Sequence, residues 1–127
     1  MELLRNSAEV DGWVHGFAMV ERASGRVVGS CGFKGPPDGE GVVEIAYGVK
    51  EEERGKGYAS EAAEGLVGFA SRDGRVRMVR AHTIDDANAS ARVLRKCGFR
   101  CAGQVNDPED GVVWRWDLEV RTVSSGG

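Results

Sequence analysis

A glycine-rich segment between a predicted strand and a predicted helix carries the clearest chemical signal in the sequence, Arg54-Gly55-Lys56-Gly57-Tyr58-Ala59. Such a turn exposes several backbone N–H groups at the positive end of a helix, which suits a pyrophosphate. Two other phosphate loops do not match, because the Walker pattern is absent and Ser60 stands where GxGxxG needs its last glycine. The segment therefore predicts either an anion-binding loop or a glycine turn that only reverses the chain.

Two side chains could accept a proton from an amine, Glu44 and His82. Glu44 stands in the middle of a predicted strand beside the small Ala46, where partial burial would make it a useful general base. The alternative for Glu44 is an exposed strand carboxylate. His82 ends a later strand, and an imidazole titrates near neutrality, although a hydrogen-bonded structural histidine is the alternative. His15 receives no role.

Hydrophobic periodicity predicts six strands and two helices in the order β-β-β-α-β-α-β-β, after the end of a helix over residues 1–9. A meander of antiparallel strands followed by a βαβ unit gives a mixed α/β sheet. The glycine-rich segment then connects the third strand to the first complete helix. The strands are predicted over 13–22, 26–34, 41–50, 76–83, 99–105 and 111–120, and the helices over 58–71 and 88–97.

Alternation within the strands predicts which side chains face the core. It places Glu44 on the side of the third strand opposite the apolar residues, and it slips near Arg80 in the fourth strand. Gly98 is expected to cap the second helix. The side chains expected to share one side of their strand are Trp13, His15, Phe17 and Met19; Val27, Cys31 and Phe33; Val43, Ile45, Tyr47 and Val49; and Val112, Trp114, Trp116 and Leu118.

Length and composition describe an ordinary globular chain. Its 127 residues fit a single domain over 1–127, since one domain takes roughly 100–200 residues. The content of 41% hydrophobic and 29% charged residues argues against disorder. Glycine is the outlier, at 19 residues about twice its usual share of roughly 7%. The excess indicates tight turns or backbone that a ligand approaches closely.

Charge and cysteine usage exclude several classes of protein. A net charge of −3 argues against binding to nucleic acid or to an anionic membrane. No apolar run approaches the ~20 residues of a membrane span, and the acidic start is unlike a signal peptide, so a cytoplasmic location is expected. Cys31, Cys97 and Cys101 form neither an even disulfide framework nor a CxxC pair. Reduced thiols, core packing for Cys97 and Cys101, and no metal site are expected.

The glycine-rich segment and its neighbours resemble the GNAT N-acetyltransferase superfamily. Arg54, Gly57 and Ala59 occupy the three defined positions of its pyrophosphate loop, Gln/Arg-x-x-Gly-x-Gly/Ala. The strand over 43–49 and the helix start over 60–62 look like the segments that flank this loop in the superfamily. Over residues 13–120 the resemblance implies a GNAT-like acyl-CoA N-acyltransferase fold.

The second helix is similar to the ribosomal-protein N-terminal acetyltransferase (Rim-type) branch. The similarity rests on His82-Thr83, the segment 88–94 and Lys96-Cys97-Gly98-Phe99. Relatives often carry an asparagine where this chain has Ala87. Many superfamily members also place on this helix a tyrosine that protonates the leaving thiolate, and Leu94 stands at that position.

The resemblance implies acetyl-CoA as the cosubstrate, lying where the strand over 41–50 parts from the strand over 76–83. Its pantetheine arm would pair with exposed strand backbone, and the glycine-rich loop would cradle its pyrophosphate. For Asn88 an N-cap role alone is the alternative. Basic residues of the second helix, Arg92, Arg95 and Lys96, either meet the adenosine phosphate or form a solvated face. The implied cofactor-binding residues are Tyr47, Gly48, Val49, Arg54, Gly55, Lys56, Gly57, Tyr58, Ala59, Asn88 and Ser90.

The implied reaction is direct attack of an amine on the thioester, with Glu44 as the base. Neutralising a lysine-like amine at pH 7 costs about 4.6 kcal/mol, and an α-amine only about 1 kcal/mol, so a weak base suffices for an α-amine. Because Leu94 replaces the tyrosine, Ser90 or a water that it holds is the remaining proton donor.

The resemblance implies an N-acetyltransferase acting on a protein N-terminus or on a small amine such as an aminoglycoside. The alternative is a non-catalytic acyl-CoA-binding module, which the leucine at position 94 and the short front end would suit. Set against the superfamily, the resemblance implies that most of the N-terminal strand and helix module, which builds the acceptor wall there, would be missing here. The sheet would keep an open edge, so a homodimer is expected.

Overall fold

The computed structural model describes residues 2–5 and 16–120, and within these ranges it contains one seven-stranded sheet and two α-helices. A short 3₁₀ turn, Glu51–Glu53, precedes the first helix. The strands are β1 Glu2–Arg5, β2 Phe17–Val20, β3 Val27–Phe33, β4 Val42–Val49, β5 Met78–Thr83, β6 Arg100–Asp107 and β7 Gly111–Glu119; the helices are α1 Tyr58–Ser71 and α2 Ala89–Lys96.

The sheet is mixed, with the strand order β1-β2-β3-β4-β5-β7-β6, which confirms the predicted α/β fold class. Neighbouring strands are antiparallel except β4 and β5, which α1 connects as a parallel crossover. The β4–β5 pairing runs only from Val42↔Met78 to Glu44↔Arg80, whereas β4 continues to Val49. The two strands therefore part, and the second half of β4 has no partner on that side among the described residues.

The predicted helix end over residues 1–9 is wrong where the structure describes it. Glu2–Arg5 is a strand that pairs antiparallel with β2, from Glu2↔Val20 to Arg5↔Phe17. A segment of four residues is too short for its hydrophobic periodicity to distinguish a helix from a strand. Its conformation is decided by pairing with β2. Residue 1, residues 6–15 with the start of the predicted first strand and His15, and residues 121–127 lie outside the described residues.

Both helices contribute to one hydrophobic core on a single face of the sheet. Phe69 of α1 packs its ring against Phe17 and Phe33, with centroids 5.6 and 5.5 Å apart. The bounds of α1 are those that its periodicity predicts. The helical core residues are Ala62, Ala63, Leu66 and Ala70 of α1 and Ala91 and Leu94 of α2.

Helix α2 carries both predicted caps. The side chain of Asn88 accepts a hydrogen bond from the Ala91 N–H at 2.9 Å. At the other end Gly98 has φ 95°, and the Phe99 N–H donates to the Leu94 carbonyl at 2.9 Å, as in a Schellman motif. The Asn88 cap fixes the first turn of α2, which lies beside the point where β4 and β5 part.

Two core-facing predictions in β3 and β5 are wrong. Val27 is 43% exposed and Val28 is fully buried, because the β2–β3 register shifts between Met19 and Val20. The slip expected near Arg80 does not occur, since burial alternates regularly along β5.

The prediction for the start of β7 is also wrong. Val112 is 53% exposed and Val113 is buried. Pairing between β5 and β7 ends at Thr83↔Trp114, so Val112 extends past the last residue of β5 and lacks the neighbour that would cover it.

A buried hydrogen bond links β5 to β7 at the same place. The fully buried Trp116 donates from Nε1 to Thr83 Oγ1 at 2.8 Å, and this hydroxyl donates to the Asp85 carbonyl at 2.7 Å. Each polar group of the pair is therefore satisfied away from water.

Replacing Thr83 by valine is expected to lower the free energy of unfolding by about 1–3 kcal/mol, because the indole N–H loses its acceptor. Thermal unfolding should show a melting temperature lower by roughly 3–10 °C. Thr83→Ser keeps the hydroxyl and is expected to lose much less; a valine variant as stable as wild type would contradict the contribution of this hydrogen bond.

Candidate functional site

A cleft of about 590 Å³ opens where β4 and β5 part. Its walls come from the end of β4, the loop before α1, the first turn of α1 and the first two turns of α2. The lining residues are Tyr47, Gly48, Val49, Glu53, Arg54, Gly55, Gly57, Tyr58, Ala59, Ser60, Asn88, Ala89, Ser90, Arg92, Val93 and Lys96.

The structure brings together the residues that the sequence assigns to a coenzyme. All of them line this cleft except Lys56. Two basic residues of α2, Arg92 and Lys96, line it as well, whereas the third, Arg95, lies over the Trp116 ring, 4.9 Å from its centroid.

The loop before α1 has the geometry of an anion site. Gly57 is the N-cap of α1 with φ 85° and ψ 4°, and Gly55 has φ 83°. The first helical bond runs from the Glu61 N–H to the Gly57 carbonyl at 3.1 Å, so the N–H groups before Glu61 lack partners within the helix. A Cβ on either glycine would meet no atom within 4 Å. Positive φ and open space, rather than packing, thus select glycine here, and the loop fits a phosphate group.

An ion cluster that the sequence reasoning missed holds this loop in place. Glu53 has a side chain only 7% exposed, and its carboxylate lies 2.7 Å from Arg26 Nη2 and 2.9 Å from Lys56 Nζ. Lys56 therefore pairs with Glu53 instead of lining the cleft. The i,i+3 spacing of Glu53 and Lys56 could have signalled their pair, but nothing local indicates Arg26.

A second contact ties α1 to the β2–β3 turn. The Tyr58 hydroxyl donates to Glu21 Oε2 at 2.8 Å. This bond raises the pKa of Tyr58 and lowers the pKa of Glu21. Because the two residues are 37 positions apart in sequence, the contact depends on the folded sheet.

A smaller cavity of about 150 Å³ borders the cleft and is lined in part by residues of β4 and β5. Tyr47 and Ser90 line both this cavity and the cleft. The lining residues are Lys34, Glu44, Ile45, Ala46, Tyr47, Ala81, His82, Thr83, Ile84, Ser90, Leu94, Asp107, Asp110 and Val113. We call it the acidic cavity, because three carboxylates and one lysine reach its wall.

The two candidate bases lie side by side in the acidic cavity. Glu44 Oε2 is 2.7 Å from Lys34 Nζ and 3.1 Å from His82 Nδ1. The hydrogen bond to Glu44 raises the pKa of Lys34. His82 Nδ1 is buried and makes no hydrogen bond of good geometry to any described residue. It is therefore close to the Glu44 carboxylate without being hydrogen-bonded to it. The arrangement can receive a proton at either Glu44 or His82.

Asp107 adds a fixed negative charge to the cavity wall. Its Oδ1 accepts the backbone N–H groups of Glu109 and Asp110 at 2.8 and 3.0 Å. These bonds lower the pKa of Asp107, so the side chain stays ionised near neutral pH.

None of the three cysteines lines the cleft or the acidic cavity, although Cys97 Sγ lies 3.9 Å from the carbonyl oxygen of Ser60 in the cleft wall. Burial raises the pKa of Cys31 to about 12 and also raises the pKa of the half-buried Cys97. Cys101 is exposed, so core packing, expected for Cys97 and Cys101, is wrong for Cys101, which sits on the edge strand β6.

Ellman's reagent at pH 8 is expected to modify Cys101 first and Cys31 only after unfolding. A thiol of pKa about 12 is about 1 in 10,000 thiolate at that pH, and the thiolate is the nucleophile. Absorbance of the released dye measures the rates, and Cys101→Ser should remove the fast phase. A fast phase that persists when both Cys97 and Cys101 are replaced by serine would contradict the burial of Cys31.

The described part of the chain offers neither a metal-ligand cluster nor a membrane-spanning helix. No group of three or more His, Cys, Asp or Glu side chains in residues 2–5 and 16–120 is placed to hold a metal ion. Neither described helix has the length and apolar character needed to cross a bilayer.

Comparison with known proteins shows which family the chain resembles. The family model described as "Acetyltransferase (GNAT) domain" matches residues 2–100. The chain is 34% identical over 89 residues to the uncharacterized N-acetyltransferase YjdG of Bacillus subtilis (strain 168), which covers 70% of this chain and 51% of that protein. It spans about half the length of the curated relatives it matches.

Solved structures share the fold at low sequence identity. A GNAT-family acetyltransferase from Bacillus anthracis superposes with a TM-score of 0.71 at 22% identity, over 82% of this chain and 65% of that one. RimL, the ribosomal L7/L12 α-N-protein acetyltransferase in complex with coenzyme A, gives 0.68 at 19% identity, over 77% and 58%. These likenesses support the fold, and the family match covers most of the chain. The chain therefore belongs to the acetyltransferase (GNAT) domain family.

Proposed function

We propose that this chain is an acetyl-CoA-dependent N-acetyltransferase that transfers the acetyl group directly to a primary amine. One observation carries the proposal: a cleft with a phosphate-type loop and an acidic cavity meet at Tyr47 and Ser90. An enzyme that joins a donor to an acceptor must hold both against each other at such a junction.

The cleft would hold acetyl-CoA, which supplies an activated acetyl thioester when bound. Backbone N–H groups of Gly55–Ala59, with Arg54 beside them, would bind the pyrophosphate. The unpaired edge of β4 from Tyr47 to Val49 would pair with the pantetheine amides, as an added strand does. Asn88 and Ser90 would contact the coenzyme from the start of α2. Because Asn88 Oδ1 accepts the capping hydrogen bond, Asn88 would use its amide nitrogen for this contact.

The acceptor would enter the acidic cavity, where Glu44 would act as the base. Glu44, Asp107 and Asp110 would attract a protonated amine. The amine can displace the Lys34 ammonium group from Glu44, because the Lys34 side chain is 54% exposed and can move into solvent. An α-amine of a protein N-terminus or a small polyamine such as an aminoglycoside fits this charge. A Rim-type reaction on a protein N-terminus belongs to the same proposal, supported by the fold likeness to RimL.

We further propose that residues 1–127 act as one domain without a metal, in the cytoplasm, as a homodimer. The outermost strands of the described sheet, β1 and β6, offer edges for such an association. Gel filtration with light scattering at micromolar concentration should give a dimer mass, and a strict monomer would contradict this part.

A thermal-shift titration with acetyl-CoA, followed by thiol release with a panel of amines, tests the proposal. Ligand at 100 times its Kd should stabilise the fold by about 2.7 kcal/mol, and thiol should appear only when a suitable amine is present. Binding without turnover across α-amines, polyamines and aminoglycosides would favour a non-catalytic acyl-CoA-binding module, to which the leucine at position 94 would be suited. No thermal shift would overturn both.

A further inference from the structure

We propose that the hydroxyl of Tyr47 donates a hydrogen bond to the thioester sulfur while it becomes a thiolate. The inference rests on the proposed transferase function and adds a catalytic residue to it. The sequence points to Ser90 for this role and assigns Tyr47 only to coenzyme binding through its backbone.

The position of Tyr47 follows from where the two substrates must meet. The amine comes from the acidic cavity and the acetyl donor from the cleft, so the reacting carbonyl lies where the two join. Of the described residues, Tyr47 and Ser90 are those that line both. Glu44 is the last residue of β4 that pairs with β5. Tyr47 lies three residues further along β4 and so stands at the mouth of the gap between the two strands.

The Tyr47 hydroxyl is free to turn toward a new acceptor. It donates to the Ser90 carbonyl at 3.5 Å, at the long limit for a hydrogen bond. An anionic sulfur would accept the same proton more strongly, because charged partners strengthen hydrogen bonds. Leu94, 1% exposed in the same cavity, offers no polar atom for this purpose.

Burial also keeps the hydroxyl in its donor form. It raises the pKa of Tyr47 to about 12, far above the ~8.5 of an ordinary thiol. Complete proton transfer from Tyr47 to the sulfur is therefore uphill, and the hydrogen bond itself stabilises the leaving group.

The step balances without any further reactant. The amine lone pair forms the new C–N bond, and the electrons of the breaking C–S bond pass to sulfur. An acceptor that enters as an ammonium ion loses one proton before the attack and a second as the amide forms. Both protons leave through Glu44 to solvent, and solvent returns one proton to the thiolate after it departs. Tyr47 ends the cycle protonated, as it began.

The experiment compares wild type with Tyr47→Phe by two readouts. Ultraviolet absorbance of the thiolate gives the pKa of the coenzyme A thiol when bound; we expect it below that of free coenzyme A in wild type and higher by about 1 in Tyr47→Phe. With the best amine of the panel, kcat should fall about 10- to 100-fold while KM for acetyl-CoA changes less than about twofold. An unchanged thiol pKa together with an unchanged kcat would overturn the proposal.

Ser90→Ala is the matched comparison, since it leaves both the Tyr47 hydroxyl and the Ser90 carbonyl in place. It should shift the pKa of the bound thiol less than Tyr47→Phe does, and the reverse order would return the role to Ser90. Should Tyr47→Phe not fold, Tyr47→Met lacks the hydroxyl and gives the same readouts. If wild type neither binds coenzyme A nor releases thiol, the proposed function fails. If wild type turns over and Tyr47→Phe has the same kcat and the same bound-thiol pKa, only the catalytic role of Tyr47 is refuted.

Discussion

Replacing Gly57 by glutamate is expected to abolish the thermal shift produced by coenzyme A and to weaken its binding at least about 100-fold. Gly57 has φ 85°, and an L side chain in that conformation costs about 1–2 kcal/mol. The new carboxylate would also stand at the N-terminus of α1, where the pyrophosphate is proposed to bind. Two like charges about 5 Å apart repel by roughly 3 kcal/mol at an effective dielectric of 20, and each 1.4 kcal/mol is about tenfold in Kd.

Two variants separate strain from charge in this experiment. Gly57→Ala adds the strain alone and should weaken binding much less than glutamate does. Gly103→Ala is the matched control, because Gly103 also has positive φ, 105°, and open space around a Cβ, yet it lies in β6 away from the cleft. It should lower stability and leave the Kd for coenzyme A unchanged. If Gly57→Glu binds coenzyme A as wild type does, the loop is not the pyrophosphate site.

The elements that the sequence predicts well are those whose signal is local and long. Helix α1 repeats its apolar positions over several turns, so its bounds follow from the sequence alone. The caps of α2 are likewise encoded by single residues, Asn88 and Gly98. By contrast, β1 exists because β2 lies beside it, and the burial of Val28 instead of Val27 follows from a register shift between two strands.

The same distinction applies to the candidate site. The glycine loop is one continuous segment, and its residue order alone indicates a phosphate contact. The Arg26–Glu53 pair and the Lys34–Glu44 pair join residues from different strands and loops. No local pattern predicts such pairs, since they depend on strand order and register. Sequence could therefore indicate Glu44 as a base but not that Lys34 and His82 flank it.

Changing Glu44 to glutamine is expected to lower kcat/KM for an α-amine acceptor by about 100-fold or more, the usual contribution of a general base. Glutamine keeps the size of the side chain and removes both the proton acceptor and the charge that attracts an ammonium group. Coenzyme A binding should stay at the wild-type level, because Glu44 lines the acidic cavity and not the cleft. Steady-state thiol release and a thermal-shift titration of the same preparation measure the two effects.

Glu40→Gln is the matched control for Glu44→Gln, since it removes the same charge from an exposed turn before β4 and should leave kcat/KM unchanged. Raising the pH should narrow the deficit of Glu44→Gln, because more of the amine is then neutral without help from a base. His82 bears on the outcome, as its Nδ1 lies 3.1 Å from the Glu44 carboxylate. If Glu44→Gln is fully active and His82→Gln is not, the imidazole is the base. Full activity in both variants would leave the acidic cavity with a binding role only, and the amine would then have to lose its proton to solvent before it enters.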